Sequence, residues 1–249
     1  MGQTRRSLFA RKPPRLPERL VELSRILDDY EAETRRLLSR LASTGRRPGT
    51  TTDDSPADPP SRIVFVCTGN RFRSPIAQAA AARLTAGLPI VVTSCGLRAE
   101  AGRPPLPAAT DAAQRLGLDI THHRSRGLTN LAESDLVVGF EFIGVAGAVI
   151  DGGASPDRTF MLTEAVELLA SNGMSADTLA QPVTVSELVT QLDSARRESV
   201  DGSPYRSLLD PAVATLRVQR ASASEIVRLT EDLLSPVVRR AALEPARLP

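Results

Sequence analysis

From Arg62 onward, short apolar runs alternate with longer segments in which apolar residues recur at helical spacing. The β-branched run at residues 63–66 predicts a buried strand, because apolar side chains fill consecutive positions. Further strands are predicted at residues 90–94, 135–140 and 159–161, and helices at residues 75–85, 107–116, 163–170, 186–197 and 223–234. This alternation predicts an α/β domain with a parallel sheet and helices on both faces.

The segment before Arg62 has a different pattern, in three parts. Five of the first 15 residues are basic and none is acidic, which is typical of a solvated tail or of one that binds phosphate or a membrane surface. Leucines at residues 16–42 predict an amphipathic helix, packed on its own domain or against a partner or second copy. Residues 43–60 have the composition of a flexible linker. The chain therefore divides into a helical extension, residues 1–61, and a main domain, residues 62–249.

Within the main domain, residues 172–209 form a connection longer than a compact domain usually needs. The helix predicted at residues 186–197 lies inside it, followed by a polar, turn-rich stretch. The sequence allows two interpretations of this insert, a lid or a peripheral ornament.

Composition narrows the class of protein. A chain of 249 residues with 41% hydrophobic residues suits one globular domain with an appendage, and a net charge of +2 indicates no nucleic-acid partner. No apolar run reaches the roughly 18 residues of a membrane span, and the twin arginines near the N-terminus lack the apolar region of an export signal. Two cysteines cannot form a disulfide framework, and no Cys/His spacing indicates a zinc site. We therefore expect a cytoplasmic protein.

The first predicted strand leads into a stretch that carries candidate chemistry. Gly69 and Asn70 tolerate positive φ, whereas Ser74 is a good N-cap and Pro75 a good first helical residue, so a helix should follow the loop at once. A strand that feeds a loop and a helix N-terminus is an anion site, because free backbone N–H groups and the helix dipole converge there.

Two residues can make this anion site reactive. Cys67 ends the strand, where loop amides and the helix dipole favour a thiolate, and Arg73 can place its planar fork on a bound oxyanion. The chemistry that fits is phosphoryl transfer to sulfur followed by hydrolysis of the phosphocysteine, with no metal or organic cofactor. The alternative is an inert buried cysteine beside a surface arginine.

The stretch Cys-Thr-Gly-Asn-x-x-Arg-Ser-Pro resembles the phosphate loop of the low-molecular-weight protein tyrosine phosphatases. The resemblance implies the fold of that family and a phosphatase that hydrolyses phosphate monoesters, phosphotyrosine in proteins above all, with a phosphoprotein as its partner. It also implies that the loop binds the substrate through six residues, Thr68, Gly69, Asn70, Arg71, Phe72 and Ser74. In the family, a hydroxyl at the position of Ser74 hydrogen-bonds the thiolate.

The resemblance extends to the proton donor and to a supporting histidine. Asp210, in an Asp-Pro pair, matches the family's acid, although Asp201 in a turn-rich stretch is an alternative. His123 matches a histidine that supports the loop asparagine, here Asn70, and its other interpretation is a surface loop residue.

Several positions depart from the family pattern. Phe72 stands where many members have a second loop cysteine, and Cys95 is predicted not to pair with Cys67. Glu100 and Ala212 occupy the places of the aromatic residues that wall the family's cleft. Phe72 and Tyr205 are the candidate replacements for those aromatic surfaces, so weak turnover of aryl phosphates is expected. The alternative functions are a non-catalytic phosphate- or phosphopeptide-binding module and a thiol-dependent arsenate reductase.

Overall fold

The structure is a computed structural model that describes residues 59–173, 183–198 and 205–243. The tail and helix predicted within residues 1–61, and the alternative acid Asp201, lie outside the described residues. Among the described residues, no helix combines the length and apolar character needed to cross a bilayer.

Four parallel strands form one sheet in the order β2-β1-β3-β4. Their bounds are β1 Ser61–Cys67, β2 Ile90–Gly96, β3 Leu136–Gly139 and β4 Thr159–Met161. All four predicted strands are present, and the carboxyl end of β1 lies at the centre of the edge where such sheets bind ligands.

Six helices surround the sheet within the described residues. They are α1 Arg73–Leu84, α2 Pro107–Arg115, α3 Phe142–Ile150, α4 Leu162–Ser171, α5 Val185–Glu198 and α6 Leu216–Leu243, and a 3₁₀ turn spans Pro156–Arg158. Five of them were predicted with shifted ends, and α3 was not predicted. Its sequence is apolar almost throughout and contains two glycines, so it lacks the amphipathic spacing and propensity by which a surface helix is recognised.

Helix α6 extends beyond both ends of its predicted range, and at its C-terminal end it continues through Pro236. Proline has no N–H for the carbonyl four residues earlier, that of Asp232. The Ser235 hydroxyl donates to this carbonyl instead, at 3.0 Å. The proline's own carbonyl accepts the Val183 N–H at 3.2 Å, so the helix continues with these backbone groups paired.

The two faces of the sheet pack against different helices, as predicted. Ile63, Phe65 and Cys67 of β1 belong to the main core, which includes apolar residues of α1, α2, α4, α5 and α6. Val64 and Val66 point to the opposite face and pack in a smaller cluster that includes Ala148 of α3. The alternation of side chains along β1 therefore buries both faces.

Helix α5, which lies within the 172–209 insert, is a core element. Its five buried residues, Val185, Leu188, Val189, Leu192 and Ala195, all belong to the main core. Arg196 at its end pairs with Glu164 at 2.9 Å and stacks over the Phe160 ring at 3.8 Å. For α5, the interpretation of the insert as a lid or ornament is therefore wrong, since removing the helix would expose the core.

Candidate functional site

The loop between β1 and α1 is shaped around Asn70, which is fully buried and has a φ of 52°. A non-glycine residue in this left-handed region costs about 1–2 kcal/mol, so other contacts must hold it. Its side-chain amide donates to the hydroxyls of Ser74 and Ser94, each at 2.8 Å. Its side-chain oxygen accepts the Arg126 backbone N–H at 2.8 Å, and His123 lies 2.9 Å from its carbonyl oxygen.

The end of β2 supports the same loop. The N–H groups of Leu97 and Arg98 donate to the carbonyls of Cys67 and Thr68, each at 2.9 Å. A Cβ on Gly96 would lie 2.8 Å from the Thr68 carbonyl oxygen and 2.9 Å from the Asn70 nitrogen. Glycine is therefore required at position 96, a positioning residue that the sequence analysis did not identify.

The Cys67 sulfur lies at the base of this loop and is surrounded by polar groups. It accepts the Asn70 backbone N–H at 3.2 Å, and its Sγ lies 3.0 Å from the Ser74 hydroxyl. The residue is only 4% exposed. Hydrogen-bond donors and the N-terminus of α1 together stabilise negative charge on this sulfur.

Arg73 is 1% exposed, and its guanidinium is held on several sides. Nη1 donates to the Leu208 carbonyl at 2.9 Å and to the Glu141 carboxylate. Nη2 donates to Thr68 Oγ1 at 3.2 Å and to Asp210 Oδ2 at 2.9 Å. Nε is buried and has no hydrogen-bond partner. A buried donor left unpaired costs about 1–3 kcal/mol, so Nε is poised to bind an acceptor that enters the site.

Asp210 and Glu141 supply the two carboxylates of the site. Asp210, the predicted acid, pairs with Arg73 through one oxygen and accepts the Ala212 N–H with the other at 3.0 Å. Glu141 was not identified from the sequence, although it follows β3 closely and its side chain is 21% exposed. Its position at the carboxyl end of a central parallel strand is the signal that could have found it.

The space bounded by Cys67, Thr68, Arg73, Glu141 and Ile143 has no room for a water molecule. Glu141 and Asp210 occupy the Nη1 and Nη2 donors of Arg73. A phosphate that binds these two donors would displace the carboxylates.

Two expectations about the loop residues are wrong. Ser74 is not the N-cap of α1, because the helix begins at Arg73 and the Ser74 hydroxyl contacts Cys67 and Asn70 instead. The ring of Phe72 is 3% exposed and belongs to the main core, so it offers no aromatic surface to a substrate.

The other predicted positions surround the loop. Arg71 donates from Nε to the Pro104 carbonyl at 2.8 Å, which fixes its side chain beside the loop. Tyr205 is partly buried against both the main core and a small cluster formed by Phe142, Val145 and Met161. Glu100 and Ala212, at the places of the missing aromatic residues, are exposed.

His123 contacts Asn70 as predicted, and its tautomer follows from the contact. The Asn70 carbonyl oxygen can only accept, so Nε2 carries the proton and donates. Burial lowers the pKa of His123, and the hydrogen bond to Asn70 partly opposes this shift. At neutral pH the ring is therefore an uncharged support for the loop.

Cys95 lies on the opposite face of the sheet from Cys67. It is in register with Val66 and packs in the smaller cluster, whereas Cys67 packs in the main core. Both cysteines are free, and burial raises the pKa of the Cys95 thiol to about 11. Cys95 is thus a protonated, buried thiol whose side chain points away from the loop.

Mild peroxide should oxidise Cys67 without joining it to Cys95, because the sheet separates the two sulfurs. Peptide mass spectrometry without reduction should find sulfenic or higher acids at Cys67 and no Cys67–Cys95 peptide. A crosslink in high yield would contradict this placement of the two thiols.

The structure combines a parallel sheet that has helices on both faces with a Cys-x5-Arg loop at the carboxyl end of β1. This combination is typical of proteins that bind phosphate next to a cysteine thiol. Residues 62–162 match the family model for low molecular weight phosphotyrosine protein phosphatases. Over these residues, the chain is similar to the low molecular weight phosphotyrosine protein phosphatases.

Two curated relatives carry the same family description. The chain is 38% identical over 81 residues, 31% of its length, to a probable low molecular weight protein-tyrosine-phosphatase EpsP of Ralstonia solanacearum, and covers 54% of that relative. The equivalent protein of Ralstonia nicotianae is 36% identical over 78 residues, which cover 30% of this chain and 52% of that protein. The chain thus spans about half the length of the curated relatives it matches.

Two solved structures share the fold. The YwlE arginine phosphatase from Geobacillus stearothermophilus matches with a TM-score of 0.54 and 21% identity, over 76% of this chain and 100% of that one. A low molecular weight protein tyrosine phosphatase from T. tengcongensis matches with a TM-score of 0.51 and 24% identity, over 70% of this chain and 97% of that one. At these identities, the likeness establishes the architecture alone.

Proposed function

We propose that this protein is a cysteine-dependent phosphatase that hydrolyses phosphate monoesters, phosphotyrosine in proteins above all, through a phosphocysteine intermediate. The observation that carries the proposal is the buried guanidinium of Arg73, which leaves Nε unpaired in the loop that also holds the Cys67 sulfur. A tetrahedral dianion satisfies Nε, accepts from the loop N–H groups and replaces the two carboxylates on the guanidinium.

In the first step, the Cys67 thiolate attacks phosphorus, an S–P bond forms and the P–O bond to the leaving group breaks. Asp210 donates its proton to the leaving oxygen. On entry, the dianion displaces the Asp210 carboxylate from Arg73. In the second step, Asp210 removes a proton from water, the water oxygen attacks phosphorus, and the S–P bond breaks to release phosphate and the thiolate.

The charge of the loop favours an aryl phosphate over phosphoarginine. Arg71, fixed to the Pro104 carbonyl, adds a second cation beside Arg73, and it would repel the guanidinium of a phosphoarginine substrate. The exposed side chain of Ile143, which borders the Cys67 cavity, gives an aryl group an apolar surface. Initial rates with phosphotyrosine and phosphoarginine peptides of one sequence test this preference, and faster turnover of phosphoarginine would overturn it.

Replacing Asp210 with asparagine should slow the reaction more as the leaving group becomes poorer. A general acid is worth about 10²–10⁴-fold, and it matters most where the departing oxygen is strongly basic. We therefore expect a larger loss of kcat with phenyl phosphate than with para-nitrophenyl phosphate. This dependence separates proton donation from any effect of the Asp210–Arg73 ion pair on binding, which would lower both rates alike.

Asp201→Asn is the matched control, and its kcat should stay near that of the unmodified protein with both substrates. The opposite result would identify Asp201 as the acid. In that case, the loss of kcat in Asp201→Asn would grow with the basicity of the leaving group, and the loss in Asp210→Asn would be the same for both substrates.

A non-catalytic phosphate-binding module is the second candidate, and the observation that favours it is the small size of the space beside Cys67. Tight binding of a phosphotyrosine peptide without turnover would establish this alternative. An arsenate reductase would pass oxidation from Cys67 to a further cysteine, and the position of Cys95 across the sheet argues against that chemistry. The two free cysteines support a cytoplasmic location, in a reducing compartment.

A further inference from the structure

A second cavity lies behind the phosphate loop and shares no lining residue with the space above Cys67. Its volume is about 530 Å³, within the range of small-molecule sites. The floor is apolar and comes from Pro75 and Ala79 of α1 and from Ile120, while Arg124 and Arg126 stand at the rim. An apolar floor beside two guanidinium groups suits a ligand that combines a flat apolar part with an anion.

The charge of this cavity is positive. Arg124 donates to the backbone carbonyls of Thr121 and His123. Because these carbonyls carry no net charge, the positive charge of Arg124 is not compensated by them. The Arg126 guanidinium makes no hydrogen bond or ion pair within the described part of the chain. Asp119 is the acidic residue among those that line the cavity. Its carboxylate accepts hydrogen bonds from the backbone N–H and the hydroxyl of Thr121, and these bonds lower the pKa of Asp119.

Three residues of the cavity wall also hold Asn70. His123 donates to its carbonyl, and the Arg126 backbone N–H donates to its side-chain oxygen. Gln78 accepts from the Ser94 hydroxyl at 2.6 Å, and this hydroxyl in turn accepts from the Asn70 amide. A ligand in the cavity therefore contacts the residues that keep Asn70 at positive φ and its N–H on the Cys67 sulfur.

We propose that this cavity binds a small organic phosphate, with its planar group on the apolar floor and its phosphate on Arg124 and Arg126, and that the bound ligand acts on the phosphate loop through Asn70. Phosphate is favoured over a carboxylate because two guanidinium groups can each offer paired donors to a dianion. The inference goes beyond the proposed phosphatase activity and does not depend on it.

The test is a titration of the full chain with adenosine monophosphate, followed by the NMR shifts of the backbone amides. The chain carries Cys67→Ser, which prevents hydrolysis of the ligand. Amides of Ala79, Ala82 and Ile120 should shift in a saturable way, and the Asn70 amide should shift with the same dissociation constant. Adenosine and inorganic phosphate, titrated separately, should each bind the cavity at least about tenfold more weakly, because each lacks one half of the ligand.

Arg126→Ala should weaken binding at the cavity by about tenfold or more, since it removes the free guanidinium and keeps the backbone N–H that holds Asn70. The matched control is Arg197→Ala, which removes an exposed arginine on α5. It should leave the dissociation constant of adenosine monophosphate unchanged. Shifts confined to residues 67–74, or cavity binding that Arg126→Ala does not weaken, would overturn the proposal. A failure of the phosphatase assignment would appear instead as absent turnover with cavity binding intact.

Discussion

Replacing Cys67 with serine is expected to abolish hydrolysis of para-nitrophenyl phosphate, with a fall in kcat of about 10⁴-fold or more. A serine hydroxyl stays protonated at neutral pH, so the hydrogen bonds from Asn70 and Ser74 no longer stabilise an anionic nucleophile. Steady-state rates of the purified variant, with circular dichroism to verify folding, measure the effect. Rapid acid quenching of the unmodified protein should trap phosphate on Cys67.

Cys95→Ser is the matched control, since Cys95 is equally buried but faces the other side of the sheet. Its kcat should remain within a few-fold of the unmodified value. If Cys67→Ser keeps most of the activity, the hydrolysis does not use this thiol and the proposed mechanism is wrong.

Replacing Arg73 with lysine should lower kcat/KM for para-nitrophenyl phosphate by about 10²–10³-fold, the loss caused by removing one well-placed donor to a transition-state oxyanion. Lysine keeps the positive charge beside Glu141 and Asp210 but loses the planar fork and the free Nε. Inhibition by inorganic phosphate should weaken in parallel, because the same donors bind the ground-state dianion.

Arg83→Lys is the matched control, because Arg83 lies on the same helix, is partly exposed and pairs with Glu231. It should leave kcat/KM unchanged. Thermal unfolding of the Arg73 variant is measured alongside, since the side chain is buried. Wild-type kinetics in a folded Arg73→Lys protein would show that the guanidinium takes no part in binding the phosphoryl group.

The sequence predicted the sheet and the loop because their signals are local. The β-branched run of β1 and the spacing from Cys67 to Arg73 both lie within one short stretch. The parallel order of strands followed from the alternation of elements. The prediction of Asp210 as the acid came only from the resemblance to a family, and the structure shows Asp210 paired with Arg73.

The parts that sequence analysis missed depend on contacts between distant segments. Glu141 reaches Arg73 because β3 pairs directly with β1, a neighbour relation that no local pattern encodes. Helix α3 carries no amphipathic stripe, and the length of α6 depends on a serine that replaces a lost backbone partner. The local sequence, an aromatic residue within a polar loop, does not predict that Phe72 is buried. Its burial depends on how the loop packs against the main core.

The pairing of Arg73 with two carboxylates bears on the end of the proposed catalytic cycle. When phosphate departs, the guanidinium is not left bare in a buried site, because Glu141 and Asp210 take its place. Release of phosphate then exchanges one bound anion for two carboxylates of the same chain. These carboxylates have a high effective concentration near Arg73 because the chain holds them there. In the proposed cycle, the two carboxylates should therefore speed the release of phosphate.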